Sequence, residues 1–411
     1  MPRLQPFRGL VFDPDVAGPL ERVTTPPYDI ISDAGRLEYL RASPFNVVRV
    51  DLAEGSNDPA DPDNRYAHAA HLLRAWEQRG VLRRAQEPSF YAYEMTAPGA
   101  WVDGPEERVP ARSAPTFAVR GLICAMALED WGGSIVPHEH VMDGPVQDRL
   151  ALLRATTTHL SPVYVTIDGP QPTLDTVLHD AARGPAPLEM LDERGVRHRA
   201  WPLPAEASAL SGLADERALI ADGHHRYTTA LRYRDERRRQ DGAGAWDSVL
   251  TLVVDARAQH LPVMPFHRVQ VSGDPPPAEG DVVAGLDAAL AAISDDAVSV
   301  ATIRRGSDGA VTYRIVELRG EPPTVRALHL ELLDDRAPEG SLRFVPDASE
   351  ADALVARGDA VAAYLLPPTT PDRIRGVVER GERLPQKSTF FWPKPRTGMV
   401  MMPLDRAVRA S

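Results

Sequence analysis

Cysteine is nearly absent: Cys124 is the one thiol among 411 residues. A disulfide within the chain is therefore impossible, and a cysteine-based zinc site lacks its ligands. Cys124 stands in the run Gly121-Leu122-Ile123-Cys124-Ala125-Met126, where a thiol reads as a small buried hydrophobe. Long apolar stretches are missing too. No run reaches the roughly 18 apolar residues that a membrane-spanning helix needs. The first residues, with Pro2, Arg3 and Gln5, do not make a secretory signal, and the expected location is the cytoplasm. An excess of positive charge is likewise lacking. Lys and Arg number 46 against 58 Asp and Glu, a net charge of −12. Such a surface repels polyanions, which argues against a general nucleic-acid binder or an anionic-membrane binder. A local basic pocket for one small phosphate stays open.

What is present fits a folded α/β protein. Hydrophobic residues make up 43% and charged residues 25%, enough for a core and too apolar for a disordered chain. The length suits two or three domains. Thirty-nine prolines and 29 glycines punctuate the whole sequence rather than one tract, as in a loop-rich fold. No internal repeat is visible. Apolar patterning predicts strands at 46–52, 90–94, 120–128, 161–167, 218–221, 248–255, 298–303, 311–318, 342–345 and 361–366. Helices are expected at 63–82, 147–155, 228–239, 282–293 and 350–356, with Asp63 capping the first. Residues 96–116 read as an exposed hairpin or loop, and 168–218 are weakly patterned. The proline tract starting at Gly273 is the candidate linker. The expected division is a core with inserted elements over 1–272, a linker over 273–281, and a C-terminal α/β portion over 282–411 that packs back on the core.

Chemistry concentrates in Ile220-Ala221-Asp222-Gly223-His224-His225-Arg226-Tyr227. A strand ends, Gly223 allows a sharp turn and close approach, and a helix begins. The first N–H groups of a helix lack intrahelical partners and carry the positive end of the dipole, which makes an anion site. Arg226 adds a guanidinium fork and the two histidines add donors. Asp222 could hold Mg²⁺. A second constellation is Pro137-His138-Glu139-His140 with Asp148-Arg149-Leu150. It is not the HExxH zinc pattern, although histidines two apart on an extended strand share a face and could bind metal. Glu139 is the better candidate, as general base or magnesium ligand. The third is Gln386-Lys387-Ser388-Thr389-Phe390-Phe391-Trp392-Pro393-Lys394, where ammonium and hydroxyl groups suit phosphate and rings suit a nucleobase or a core. Plainer readings stand beside these. Asp222-Gly223 could be a tight turn with Asp as cap. The His138–His140 stretch could be a surface loop, and the aromatic-lysine stretch a packed strand. Tyr28-Asp29 could be a simple turn.

Taken in order, Pro26-Pro27-Tyr28-Asp29, His138-Glu139, Asp148-Arg149-Leu150, the Asp222–Tyr227 segment, Leu261-Pro262 with His267-Arg268, and Pro385-Gln386-Lys387-Ser388-Thr389 with Pro393-Lys394 resemble the family known as domain of unknown function 1015. The Asp222–Arg226 box also resembles the phosphate-binding box of the ParB and sulfiredoxin-like superfamily, and most closely that of kinases acting on free serine. The cysteine of the sulfiredoxin box is absent, and neither the basic balance nor a helix-turn-helix of the partition proteins is seen. The resemblance implies a mixed α/β fold with a ParB/sulfiredoxin-like core, a small-molecule substrate and a nucleotide as partners, and no nucleic acid; a homodimer is left open. It implies a phosphotransferase using ATP or ADP with Mg²⁺ on a small hydroxylated metabolite such as free serine. The alternatives are a nucleotide-binding switch (CTP or ATP) without transfer, and a hydrolase that keeps the phosphate cradle. On the transferase reading, Gly223, His224, His225, Arg226, Tyr227, Lys387, Ser388, Thr389 and Lys394 hold phosphate or nucleotide. Asp222 binds Mg²⁺ or orients the acceptor, Glu139 takes the hydroxyl proton, and Tyr28, Asp29, His138, Asp148 and Arg149 face the substrate.

Overall fold

The protein is described from a computed structural model that covers residues 3–404 apart from 59, 99–115, 168, 170, 206–216, 260, 277–278, 335–336 and 339. The β-branched and aromatic runs become strands of a nine-stranded mixed sheet. Its members are β1 (Leu4–Gln5), β2 (Ser89–Pro98), β3 (Thr116–Ala127), β4 (Ile135–Val136), β5 (Val163–Ile167), β6 (Leu188–Leu191), β7 (Arg197–Pro204), β8 (Ala218–Asp222) and β9 (Ser248–Asp255). Their order across the sheet is β4-β8-β5-β9-β3-β2-β7-β6, with β1 against β3. The centre is doubly covered, which is why β9 is a continuous apolar run rather than an alternating one. Val249 and Val253 of β9 pack on one face with Cys124, Leu174 and Leu231. Leu250, Leu252 and Val254 pack on the other with Leu150 and Leu153. The covering helices include α1 (Val48–Asp51), α2 (Arg65–Gln78), α3 (Asp143–Thr156), α4 (Pro172–Ala181) and α5 (His224–Asp241).

A second sheet has six antiparallel strands: β10 (His267–Gln270), β11 (Asp281–Val283), β12 (Ser299–Arg305), β13 (Val311–Glu317), β14 (Leu342–Val345) and β15 (Ala362–Leu365). Their order is β11-β13-β12-β15-β10-β14. The helix Ala348–Arg357 packs its Ala351 and Val355 against Val269, Ile303 and Ala363 of this sheet. The last described residues then run back against earlier segments of the chain in two small two-stranded sheets. Phe390–Phe391 pairs with Val263–Met264, and Met402–Pro403 pairs with Thr158–His159. Thr397 and Met401 bridge to Thr25 and Leu10. Among the described residues no helix is long and apolar enough to cross a membrane.

Several local expectations change. Residues 46–52 are not a strand, for Val48–Asp51 is a helical turn. Asn46 Oδ1 accepts the Val48 N–H at 2.9 Å, and Asn46 Nδ2 donates to the Arg22 carbonyl at 2.8 Å. This local side-chain cap outweighs the β-propensity of three valines that are buried in either conformation. The 63–82 helix is capped by Asn64, not Asp63, through bonds to the Tyr66 and Ala67 N–H groups. It stops at Gln78, and Leu82–Arg84 is a strand against Leu10–Phe12. Residues 282–293 divide into β11 and a helix Leu286–Ala292. The weakly patterned 168–218 region holds α4, β6 and β7. The hairpin expected at 96–116 lies largely outside the described residues.

Cys124 is fully buried on β3 and its thiol is pushed up by burial. The native protein should therefore resist thiol-specific alkylation at neutral pH and take up one label once denatured, read by intact mass; rapid native labelling would place this strand elsewhere.

Candidate functional site

The site is built where β8 meets α5. Gly223 takes the left-handed conformation, φ +98°, which lets the chain turn from strand into helix. A Cβ there would lie 3.1 Å from the Arg226 guanidinium. No side chain caps this helix end, so the N–H groups of its first turn are not taken up by a capping residue. The Asp222 carboxylate is buried and paired twice, with Arg226 Nη2 and with Lys394 Nζ. Arg226 also donates through Nη1 to Ser161 Oγ at 3.0 Å and to the Pro162 carbonyl. A cleft with an enclosed volume of about 30 Å³ opens over the turn, and Tyr28, Asp29, Glu139, Phe266, Lys387 and Thr389 form its other walls.

Glu139 is the anchor of the opposite wall. Its carboxylate accepts the backbone N–H groups of Lys387, Ser388 and Thr389 at 3.1, 3.0 and 3.0 Å, and the Thr389 hydroxyl at 2.9 Å. Burial pushes its pKa up, but bonds from His138 and Thr389 and the nearby imidazoles more than offset this and hold it well below the carboxylate range. The general base or magnesium ligand expected at Glu139 meets a carboxylate already engaged by four donors. A carboxylate saturated by four donors and stabilised as an anion is a poor proton acceptor. Arg268 grips the other side of the same turn. Fully buried, it donates to the carbonyls of Phe266 and Lys387 at 2.7 Å and of Gln386 at 3.1 Å, and burial lowers its pKa to about 9. Between these clamps Lys387 sits at φ +53°, a conformation that non-glycine residues seldom adopt.

Pro26 and Pro27 lead into the one-turn helix Tyr28–Ile30, which aims Asp29 at the cleft. Asp29 Oδ2 pairs with Lys387 Nζ. Burial raises the Asp29 pKa, and Lys387, Lys394 and Arg226 together bring it below its ordinary value. For Lys387, burial lowers the pKa while Asp29 raises it, and the net shift is upward.

His224 and His225 are neutral donors rather than cationic clamps. His138 is buried, donates from Nδ1 to the Ile220 carbonyl at 2.7 Å, and bonds through Nε2 to Thr389 Oγ1 at 2.7 Å. His140 is exposed, so the shared-face metal pair does not form. His224 Nε2 accepts the His138 N–H at 3.3 Å, and His225 Nε2 accepts the Met142 N–H at 3.2 Å. Burial holds both below the ordinary histidine value, with His138 adding to the effect on His224 and Lys387 to that on His225. Each neutral ring that accepts through one nitrogen keeps one N–H to give.

Other expected residues lie outside the cleft or are committed elsewhere. Tyr227 packs into the core on the far face, its hydroxyl donating to the Glu129 carbonyl at 2.8 Å. The Ser388 hydroxyl donates to the Pro385 carbonyl. Phe390, Phe391 and Trp392 are buried, so these rings serve the core rather than a nucleobase. Asp148 is bound by Arg65 and by the Tyr66 hydroxyl at 2.8 Å. Arg149 donates to Asp51 at 2.7 Å and stacks on Tyr28 at 4.2 Å. The expected Mg²⁺ ligation by Asp222 does not fit, because cations of the chain take both of its oxygens. Among the described residues no three His, Cys, Asp or Glu side chains are grouped so as to hold a metal. Sequence reasoning missed Asp51, Ser161 and, as a clamp, Arg268. An acid and an arginine inside otherwise apolar runs were the available signals.

Comparison with known proteins adds a family. Residues 4–290 match the model described as protein of unknown function, DUF1015. No curated protein matches the chain. Among solved structures, a free serine kinase in complex with AMP is similar at 14% identity and a TM-score of 0.36, covering 70% of this chain and 92% of its own. SbnI with a C-terminal truncation from Staphylococcus aureus aligns at 10% identity and 0.37, covering 67% and 85%. A conserved hypothetical protein from Pyrococcus furiosus aligns at 13% and 0.34, covering 65% and 90%.

Replacing Glu139 by Gln leaves an amide where four donors converge, and should cost about 3 kcal/mol at pH 7 by urea unfolding. The folded pKa of Glu139 is depressed, so its contribution is full above the unfolded value of about 4.3 and is lost as pH falls toward the folded one. The gap between wild type and Glu139→Gln should narrow below about pH 4; a gap that is constant or widens on acidification would contradict the clamp.

Proposed function

The chain belongs to the DUF1015 family of unknown function, so an activity has to be argued from the site itself, and we propose a nucleotide-dependent phosphotransferase acting on a small hydroxylated metabolite, free serine being the first candidate. The observation that carries this reading is the Lys387 ammonium in the cleft over the uncapped helix end at Gly223, with the buried Lys394 paired to Asp222 beside it. The Lys387 ammonium, free helix N–H groups and the N–H of a neutral His225 make a compact set of donors for a phosphate group.

Each ammonium is balanced by a carboxylate, Asp29 or Asp222. A phosphate entering the cleft would take over as partner to the lysines, so the charges exchange partners rather than being stripped. The cleft is far smaller than a nucleotide, and this exchange is how it would open. Phosphoryl transfer asks chiefly for positioning and charge neutralisation, and Lys387 and Lys394 supply both with no metal ligand required of Asp222. Arg226 holds Asp222, the Ser161 hydroxyl and the Pro162 carbonyl in place, and so sets the turn. A second reading, a nucleotide-binding switch without transfer, is favoured by one feature: both oxygens of Asp222 and of Glu139 are engaged, so that among the carboxylates of Asp29, Asp222 and Glu139 only Asp29 keeps an oxygen, Oδ1, without a donor.

Phosphorus NMR of the protein with ATP or ADP and free serine in magnesium buffer tests this. The expected result is a new phosphomonoester signal whose initial rate falls at least about 100-fold in Lys387→Ala and in Arg226→Ala, with the fold retained by circular dichroism. Nucleotide that binds by calorimetry and stays unchanged would transfer support to the switch, and normal turnover in Lys387→Ala would remove that residue from the mechanism.

A further inference from the structure

Behind the cleft lies a second pocket, of about 50 Å³, that shares only Tyr28 and Arg226 with the first. Asp51, Arg149, His159 and Ser161 are among its lining residues. We propose that this pocket is the acceptor subsite, and that Asp51 Oδ2 receives a hydrogen bond from a small, net-neutral molecule bearing hydroxyl or ammonium groups. The inference rests on the phosphotransfer reading for the word acceptor, while the binding site stands on its own geometry.

The first ground is an unmet carboxylate oxygen. Asp51 is only 6% exposed. Its Oδ1 is held by Arg149 at 2.7 Å, but its buried Oδ2 has no hydrogen-bond partner. Buried polar atoms are almost always satisfied, and an anionic oxygen left without a donor marks a place where a donor belongs. Burial raises the Asp51 pKa despite Arg149, the opposite of the shifts at Asp29 and Glu139, so its oxygen is the more basic acceptor.

The second ground is charge balance, which selects the ligand. Asp51 pairs with Arg149, Asp148 with Arg65, and Asp222 with Arg226. The His159 ring beside them is kept neutral, its pKa lowered by burial to about 4. Asp222 is shared with Lys394, and the opposite charges of Asp51 and Arg149 side by side in the pocket suit a zwitterion or a polyol. Leu152, Leu153 and Leu160 form the apolar part of the wall. The volume of about 50 Å³ suits a ligand of a few heavy atoms. The Ser161 hydroxyl accepts from Arg226 and so keeps its own proton to donate. Arg226 stands between the pockets, one Nη on Ser161 and the other on Asp222, so a molecule held by Asp51 would lie across a single guanidinium from a phosphate at the Gly223 turn.

The test measures binding without turnover. Saturation-transfer NMR of the full chain with L-serine, and separately with glycerol, should show one of the two bound to wild type. The affinity should fall at least about tenfold in Asp51→Asn, since a charged hydrogen bond is lost. Because Asp51→Asn could unsettle Arg149, Leu153→Phe fills the apolar wall with that pair intact and should weaken binding by a similar factor. ATP affinity, measured by calorimetry on the same variants, should change less than about threefold. Binding by neither probe, or binding unaltered in both variants, overturns the subsite. Loss of ATP binding from wild type with serine or glycerol still held by Asp51 would instead sink the phosphotransfer reading and leave the subsite standing.

Discussion

A buried carboxylate must find donors or give up its charge, and two such groups set the plan of this molecule. Glu139 follows the short strand β4, and Asp222 ends β8, at one edge of the nine-stranded sheet. Neither finds all its partners nearby in sequence. Glu139 is satisfied by the backbone of residues 387–389, and Asp222 by Lys394 together with Arg226. The C-terminal stretch is thereby drawn back more than 160 residues along the chain, and Arg396 repeats the pattern by pairing with Glu193 at 2.9 Å. Removing one partner of a buried pair costs about 3–5 kcal/mol, a large part of the net stability of an ordinary domain. The site and the closure of the fold are thus one set of contacts.

That coupling shapes the chemistry. Ion pairs with oppositely charged side chains keep the cleft near neutrality, so its donors are positioned before any anion arrives. The neutral histidines fit the same logic. An imidazolium next to Lys387 and Lys394 would add repulsion, and burial prevents it. Lys387 is held through its backbone by Arg268 and Glu139, and apolar rings lie against both ammonium groups, Phe266 at 5.2 Å from that of Lys387 and Phe390 at 4.8 Å from that of Lys394. Preorganisation of this kind is where electrostatic catalysis obtains most of its effect.

What could be read in the sequence follows from which interactions are local. The strand-glycine-helix turn at Asp222-Gly223-His224 was legible because a positive φ and a helix start depend on a few adjacent residues, and β9 because an apolar run between two helical patterns has few other uses. The segment at 46–52 misled because its valines fit a buried turn as well as a strand, and Asn46 decided between them through a contact to Arg22. The role of Glu139 was illegible for a deeper reason. Residue type tells that a carboxylate can accept protons, but its four donors come from residues 387–389, nearly 250 positions away. Asp51 was hidden the same way, since its meaning lies in an oxygen that Arg149 leaves unpaired.

Lys387 shows how strain separates structure from function at this site. A glycine would hold φ +53° at little cost, whereas a lysine there costs on the order of 1 kcal/mol or more. The turn does not need the side chain to exist, for Glu139 binds its N–H groups and Arg268 binds its carbonyls. Those bonds are made by backbone atoms that any residue provides. What only lysine provides is an ammonium group facing Asp29 at the mouth of the cleft. The clamps on both sides offset a conformation that places that charge. The strain, the two buried clamps and the pairing with Asp29 together fix where that cation stands at the cleft.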